Sequence, residues 1–306
     1  MEYILQTDNI VKSYGKTKAL NGLSMKIPKG AIYGFIGRNG AGKTTAIRII
    51  CGLQNPNEGS FTLFNVNSHD KKICEVRKRT GAIIEKPAFY SDLSAEKNMK
   101  LQYDMLGIPS YDDIPELLKL VGLCDTGKKK AGKFSLGMKQ RLGIAIALAG
   151  DPDFILLDEP INGIDPQGIV EIRELILTIN KEKGVTVLIS SHILDELSKL
   201  ATHYGFIDKG RIVEEISAEE LEKKCRKVTK LKVSNEKALM LLMDEMGLDY
   251  EAEGEGQVNV FGKINFTELV TKLATHGCDV ISVNESDESL ENYYINLVGS
   301  GEKVSI

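Results

Sequence analysis

The clearest pattern along the chain is a set of short, continuous apolar runs, each bounded by turn residues or charges. They lie at residues 31–36, 154–157 and 185–189. Runs of this length without polar alternation are typical of strands that are buried on both faces of a parallel sheet. Segments 4–13 and 22–27 have the composition of further strands, and segment 45–53 that of a helix. The pattern therefore predicts an α/β fold for the first part of the chain.

Later regions have different patterns. Between about residues 88 and 150 the pattern is mainly helical, with breaks at Pro109 and Gly122, and a hairpin at 209–213 and a charged helix at 218–227 follow. The strand-like segments beyond are 230–233, 250–253, 257–261 and 280–283, and the helix-like ones are 236–245, 266–274 and 290–297. This β-α-β-β-α-β order predicts a small α+β (ferredoxin-like) domain at 226–306, after a main domain at 1–222.

Residues 37–44 match the pattern G-x-x-x-x-G-K-[ST] of a phosphate-binding loop, between a predicted strand and a predicted helix. The glycines let backbone N–H groups turn toward a phosphate, and the helix N-terminus adds partial positive charge. We expect Lys43 to contact the β- and γ-phosphates of a nucleotide and the Thr44 hydroxyl to hold Mg²⁺. The other predicted nucleotide contacts are Gly37, Asn39, Gly40, Ala41, Gly42 and Thr45.

The apolar run at 154–157 ends in two acids, Asp158 and Glu159, followed by Pro160. An acid at the carboxyl end of a parallel strand lies beside the phosphate loop in doubly wound folds. We therefore expect Asp158 to hold Mg²⁺ through water and Glu159 to polarise an attacking water molecule. The alternative is a solvent-exposed acidic turn, and the presence of the phosphate loop makes that the weaker interpretation.

Residues 135–141, with the sequence SLGMKQR, lie between these two motifs and open a mostly apolar helix. A helix N-terminus that is capped by Ser and followed by Gly can bind an anion. This stretch resembles the signature of ATP-binding cassette (ABC) ATPases, and the resemblance covers about residues 1–222. The matching positions are Tyr14 (adenine-stacking aromatic residue), Glu85 (Q-loop), Ser135, Gly137 and Gln140 (signature), Asp165 (D-loop) and His192 (switch histidine).

The resemblance implies a P-loop NTPase (RecA-like) core with an antiparallel β subdomain and a helical subdomain, and it implies ATP and Mg²⁺ as cofactors. It also implies that Lys43, Glu159 and His192 act in ATP hydrolysis. In this family the signature of one subunit closes on the γ-phosphate that the other subunit holds. Because the chain has one phosphate loop and one signature, a working unit is expected to need a second copy of the chain.

Two positions depart from the family pattern. Leu136 stands where the consensus has Gly, and Glu85 stands where most members carry Gln. An acid at position 85 can still join Thr44 and Asp158 at Mg²⁺, or it can be a solvated loop acid. Glu85 and the residues after it resemble the version in exporters of bacitracin and lantibiotic type. This likeness implies an exporter subunit that works with a separate transmembrane permease. The candidates for that contact are Phe89, Tyr90 and Leu93, and simple core packing of these side chains is the alternative.

Composition limits the other possibilities. The sequence has no run of eighteen apolar residues, so no transmembrane helix is expected, and its five scattered cysteines fit a reduced, cytoplasmic protein on the inner face of the membrane. Residues 1–225 hold 31 Lys and Arg against 29 Asp and Glu, whereas residues 226–306 hold 8 against 14. This acidic end argues against nucleic acid as a partner. A soluble ABC ATPase and a nucleotide-gated dimerisation switch without a transporter remain as alternatives.

Overall fold

The chain folds into two units, Met1–Ala218 and Glu219–Ile306. The computed structural model describes residues 2–224, 228–254, 256–261, 264–286 and 290–299. In chain order, the strands of the larger unit are β1 (Tyr3–Tyr14), β2 (Thr17–Leu23), β3 (Lys26–Pro28), β4 (Ile32–Ile36), β5 (Glu58–Leu63), β6 (Val66–Asn67), β7 (Thr80–Ile83), β8 (Phe154–Asp158), β9 (Thr186–Ser191), β10 (His203–Asp208) and β11 (Arg211–Ser217). Its α-helices are α1 (Lys43–Ile50), α2 (Ile73–Arg77), α3 (Ala95–Leu106), α4 (Ile114–Leu120), α5 (Leu136–Leu148), α6 (Pro166–Lys183) and α7 (Leu194–Ser198). The domain boundary at residues 222–226 stays a prediction.

A sheet of six strands in the order β11-β10-β4-β9-β8-β7 forms the centre of the larger unit. All neighbouring strands are parallel except β10 and β11, which form the predicted hairpin. Every residue of β4, β8 and β9 is buried, as the continuous apolar runs predicted. Because parallel strands end at the same edge of a sheet, the residues that follow β4, β8 and β9 meet there.

A second sheet is antiparallel and has the order β2-β1-β5-β6, with β3 paired to β1. The prediction of one strand over residues 22–27 is wrong, because β2 ends at Leu23 and β3 begins at Lys26. The buried Thr7 hydroxyl donates to the carbonyl oxygen of Leu23 at 3.1 Å and accepts from the Met25 N–H at 2.9 Å. This side chain fills the break between the two strands, so the chain shifts register along β1 without leaving a buried polar group unpaired.

The region between β7 and β8 is helical, as predicted, and the breaks at Pro109 and Gly122 fall just after α3 and α4. Helical structure begins at Ala95 rather than near residue 88, because the Ser94 hydroxyl accepts from the Lys97 N–H and caps α3. Among the described residues, no helix has both the length and the apolar character needed to cross a membrane.

The smaller unit has the predicted β-α-β-β-α-β order. After α8 (Ala218–Lys224), its elements are β12 (Val228–Val233), α9 (Glu236–Met246), β13 (Asp249–Gly254), β14 (Gln257–Phe261), α10 (Phe266–Thr275), β15 (Val280–Ser286) and α11 (Leu290–Gly299). Residues 225–227 of the helix predicted at 218–227 lie outside the described residues. The sheet order is β13-β14-β12-β15 with every neighbour antiparallel. Leu239, Leu242 and Leu269 are fully buried between this sheet and its helices.

Candidate functional site

The predicted phosphate loop follows β4 and leads into α1. Two of its glycines are required by their surroundings, since a Cβ atom at Gly37 would lie 2.6 Å from the carbonyl oxygen of Ile207 and one at Gly42 would lie 2.6 Å from that of Ala19. Gly42 has a φ of 113° and forms the N-cap of α1, a conformation that favours glycine. It has no side chain to cap the helix, so the first N–H groups of α1 remain for a bound anion.

A cavity of 360 Å³ lies over this loop. Its lining residues are Ala19, Asn39, Gly40, Gly42, Lys43, Thr44, Thr45, Glu159 and Asn162. The fold thus brings most of the predicted phosphate-loop residues and the second acid, Glu159, to one cavity. Of the described residues that line it, none belongs to the signature stretch at 135–141.

Lys43 is the cation of this cavity, although it is only 5% exposed. Its ammonium group donates to the carbonyl oxygens of Gly37 at 2.6 Å and Arg38 at 3.3 Å, which hold it inside the loop. Its Nζ atom lies 3.2 Å from Oε1 of Glu159. A carboxylate therefore occupies the contact to Lys43 that a phosphate oxygen is expected to take.

Asp158 ends β8 and is 1% exposed. Its Oδ2 atom accepts a hydrogen bond from the Thr44 hydroxyl at 2.7 Å, and its Oδ1 atom accepts one from the Ser190 hydroxyl at 2.5 Å. Two donors satisfy the buried carboxylate, which is the condition for keeping a charge inside a protein. Sequence reasoning assigned no role to Ser190. Its signal was a polar residue directly after the apolar run at 185–189, at a position of β9 that pairs in register with Asp158.

Glu159 follows directly and turns away from the strand with a φ of 51°. Its N–H donates to both the carbonyl oxygen and the hydroxyl of Ser190, at 3.2 Å and 3.0 Å. Its Oε2 atom lies 2.7 Å from Nδ1 of His192, which follows β9. Lys43 thus contacts one carboxylate oxygen of Glu159 and His192 contacts the other, while Ser190 fixes the backbone of Glu159.

The donor set fits magnesium. Thr44 and Asp158 supply a hydroxyl and a carboxylate, and Mg²⁺ prefers such oxygens, with waters and substrate phosphates in the other positions. Glu85, the third predicted metal residue, does not join them in this structure. Its Oε1 atom lies 2.6 Å from Nη2 of Arg48 on α1, and its role at the metal stays a prediction.

Tyr14 lies at the end of β1, and its ring is 46% exposed. Its hydroxyl bonds to the Gln54 side chain, and the ammonium group of Lys12 lies 5.6 Å from the ring centroid. The ring does not line the phosphate-loop cavity. The exposed face is compatible with a stacked base, and the adenine contact stays a prediction.

The signature begins where predicted, with Ser135 as the N-cap of α5. The Ser135 hydroxyl accepts from the Met138 N–H at 3.2 Å, while Gln140 is 6% exposed. Leu136, which replaces the family's glycine, is 49% exposed. Asp165 precedes α6 as its N-cap residue, in the predicted D-loop.

Cys51, at the end of α1, is a titratable group whose ionisation is affected by its surroundings, Asp158 among them. Burial raises the pKa of the Cys51 thiol to about 12, with the positive charge of Arg77 opposing this change and the negative charge of Asp158 adding to it. The thiol stays protonated and unreactive at neutral pH.

A phosphate loop on a parallel sheet, two acids at the end of β8 and a histidine at the end of β9 define a P-loop NTPase of the ATP-binding cassette class. Residues 20–162 match the family model described as ABC transporter. The chain is 42% identical over 304 residues to the bacitracin transport ATP-binding protein BcrA of Bacillus licheniformis, covering 98% of this chain and 99% of that protein. The chain therefore belongs to the ABC transporter ATP-binding proteins.

Other relatives and solved structures agree. The lantibiotic transport ATP-binding protein SrtF of Streptococcus pyogenes is 47% identical over 210 residues, covering 69% of this chain and 89% of that protein. A solved ATP-binding cassette in its ADP conformation superposes with a TM-score of 0.66 and 28% identity over 74% of this chain and 95% of that one. A dimeric, post-hydrolysis cassette with ADP and phosphate superposes with a TM-score of 0.63 and 26% identity, covering 70% of this chain and 98% of that one. These matches confirm the predicted family and the predicted P-loop NTPase fold of its cassette.

Proposed function

We propose that the chain is the ATP-binding and ATP-hydrolysing subunit of an ABC exporter. One observation carries the proposal: Lys43, Glu159 and His192 form a contiguous chain of contacts of 3.2 Å and 2.7 Å at the mouth of the phosphate loop. Thr44 and Asp158 lie directly beside it, joined at 2.7 Å. The cation, the acid and the histidine needed for phosphoryl transfer to water are therefore in reach of one bound nucleotide.

The chemistry follows from these positions. A nucleotide phosphate would replace Glu159 at the Lys43 ammonium, and this exchange would free the carboxylate to accept a proton from the attacking water. His192 would keep Glu159 oriented and contact the γ-phosphate. Magnesium held at Thr44 and Asp158 would neutralise charge that develops on the phosphates. A general base positioned in this way contributes about 10²–10⁴-fold to the rate.

Two copies of the chain are needed for this reaction. The signature residues Ser135 and Gly137 do not line the phosphate-loop cavity of their own chain, and the capped start of α5 is a suitable site for an anion. We infer that α5 of one copy closes on the γ-phosphate held by the other. The relative solved as a dimer with ADP and phosphate supports this arrangement.

The chain would act at the cytoplasmic face of a membrane by docking on a separate permease. The names of the relatives, which describe bacitracin and lantibiotic transport, support an antimicrobial peptide as cargo. Tyr90, which is 60% exposed, is the candidate residue for the permease contact. The buried Asn98 side chain accepts from the Tyr90 N–H at 2.7 Å and donates to the Tyr90 carbonyl oxygen at 3.0 Å. These two hydrogen bonds fix the backbone that carries the exposed Tyr90 side chain.

The test is the Glu159→Gln protein compared with the unaltered chain. We expect ATP binding to be retained and the steady-state ATPase rate to fall about 10²–10⁴-fold. The matched control is Glu174→Gln, at a side chain that is 65% exposed, and it should hydrolyse ATP at the parent rate. Unchanged turnover in Glu159→Gln would remove Glu159 from the reaction. No turnover in the parent, together with ATP-driven dimerisation, would favour the switch alternative.

A further inference from the structure

Two side-chain contacts, one helical turn apart, join α1 to the ends of two neighbouring strands. Thr44 bonds to Asp158 at the end of β8. Arg48, four residues further along the same helix, pairs with Glu85 beyond the end of β7 at 2.6 Å. Residues four apart lie on the same face of a helix, so the two contacts are adjacent.

The strands place the two acids at one edge of the sheet. β7 and β8 are parallel neighbours, with Ile83 paired to Leu157. Glu85 follows Ile83 at the same interval at which Glu159 follows Leu157. Glu85 therefore leaves the sheet beside the acids of the nucleotide site, with Arg48 as its partner on the helix that begins with the phosphate loop.

The backbone at Glu85 is constrained. Its φ is 60°, and the Lys86 N–H donates to the carbonyl oxygen of Ile84 at 2.7 Å, which closes a three-residue turn around it. Such turns with a positive central φ are rare and strained, and residues of this kind cluster at functional sites. The turn limits where the carboxylate can reach, and the guanidinium of Arg48 is the partner it contacts there.

We propose that Arg48 is a positioning residue that holds Glu85 away from the metal site at Thr44 and Asp158 and so lowers the metal affinity of the nucleotide complex. The pair is easily exchanged, because the two side chains are 34% and 61% exposed and exposed ion pairs are weak. A bound cation at Thr44 and Asp158 competes with the guanidinium of Arg48 for the same carboxylate. This inference rests on the proposed function, in which that site takes a divalent cation with ATP.

The experiment measures Mn²⁺ binding rather than activity. Free Mn²⁺ is quantified by electron paramagnetic resonance while the full chain is titrated with Mn²⁺ in the presence of saturating AMP-PNP, a non-hydrolysable ATP analogue. We expect Arg48→Gln to tighten Mn²⁺ binding about 1.5- to fivefold, the range available from an exposed ion pair. Arg48→Lys keeps the charge and should stay near the parent value. In a Glu85→Gln background, Arg48→Gln should produce no further change.

An ion pair at the opposite edge of the sheet is the matched control. Arg79 and Asp153 pair at 2.7 Å with exposures of 51% and 46%, at the start of β7 and β8 rather than at their ends. Arg79→Gln should leave Mn²⁺ binding unchanged. Thermal melting of each variant checks that the fold is retained.

Two results would overturn the inference: equal Mn²⁺ affinity in the parent and Arg48→Gln, or a shift that persists in the Glu85→Gln background. Binding of AMP-PNP, measured in EDTA, distinguishes a failure of the inference about Arg48 from a failure of the proposed function. A parent chain that binds AMP-PNP but shows no Arg48 effect refutes the role of Arg48 alone. A parent chain that binds no AMP-PNP refutes both proposals.

Discussion

Ser190→Ala tests whether the hydrogen bond from β9 stabilises the buried carboxylate of Asp158. The Ser190 hydroxyl donates to Asp158 at 2.5 Å, and both residues are essentially inaccessible to solvent. Hydrogen bonds to charged groups contribute about 1.5–3 kcal/mol. The Glu159 N–H also loses the hydroxyl as an acceptor, but it keeps the Ser190 carbonyl oxygen at 3.2 Å. Most of the loss therefore falls on Asp158, and we expect the free energy of unfolding in urea to drop by about 1.5–3 kcal/mol.

The same change should alter the metal requirement of the reaction. Groups that orient a metal-binding carboxylate typically account for about 10–100-fold in metal affinity or activity. We expect the Mg²⁺ concentration for half-maximal ATPase activity to rise by that factor in Ser190→Ala. The control is Ser198→Ala, at an exposed hydroxyl that bonds only locally to the Asp195 carbonyl oxygen at 2.8 Å. If Ser190→Ala matches this control in both stability and Mg²⁺ dependence, the contact to Asp158 has no energetic role.

Three further predictions address packing, ionisation and base binding. Gly81→Ala would place a Cβ atom 1.9 Å from the carbonyl oxygen of Ala147. Because this neighbour is backbone, we expect the free energy of unfolding in urea to fall by about 3 kcal/mol or more, and an unchanged unfolding midpoint would refute the close approach of β7 and α5. At pH 8, iodoacetamide should label the exposed Cys74 but not Cys51, because a pKa of about 12 keeps Cys51 a thiol. Equal labelling of the two cysteines, measured by peptide mass mapping, would contradict the burial of Cys51. Tyr14→Ala should weaken ATP binding about tenfold, as expected for base stacking of about 1–3 kcal/mol, whereas Tyr14→Trp should retain affinity in the same fluorescence titration.

Sequence reasoning predicted the parts of the site in which the local geometry admits only one type of residue. The phosphate loop was found because only glycine fits at positions such as Gly42, where φ is 113° and a carbonyl oxygen leaves no space for a side chain. Asp158 and Glu159 were predicted because acids at the carboxyl end of a parallel strand lie beside the phosphate loop in doubly wound folds.

The missed contacts depend on register between elements that are distant in the chain. Ser190 and Asp158 are paired only because β8 and β9 are neighbours in a particular register, and Arg48 meets Glu85 across two separate elements. The break at residues 24 and 25 depends on Thr7 in another strand. Local composition carries little information about such contacts, whereas it was sufficient for the element order of the smaller unit.

Sedimentation velocity of the Glu159→Gln protein, with and without ATP and Mg²⁺, tests whether bound nucleotide brings two copies of the chain together. We expect monomers without nucleotide and dimers with ATP and Mg²⁺. Adding Ser135→Arg, at the exposed start of α5, should abolish the dimer while ATP binding is retained. A protein that binds ATP but stays monomeric, or an ATP-driven dimer that persists with Ser135→Arg, would contradict closure of the signature on the phosphates of a second copy.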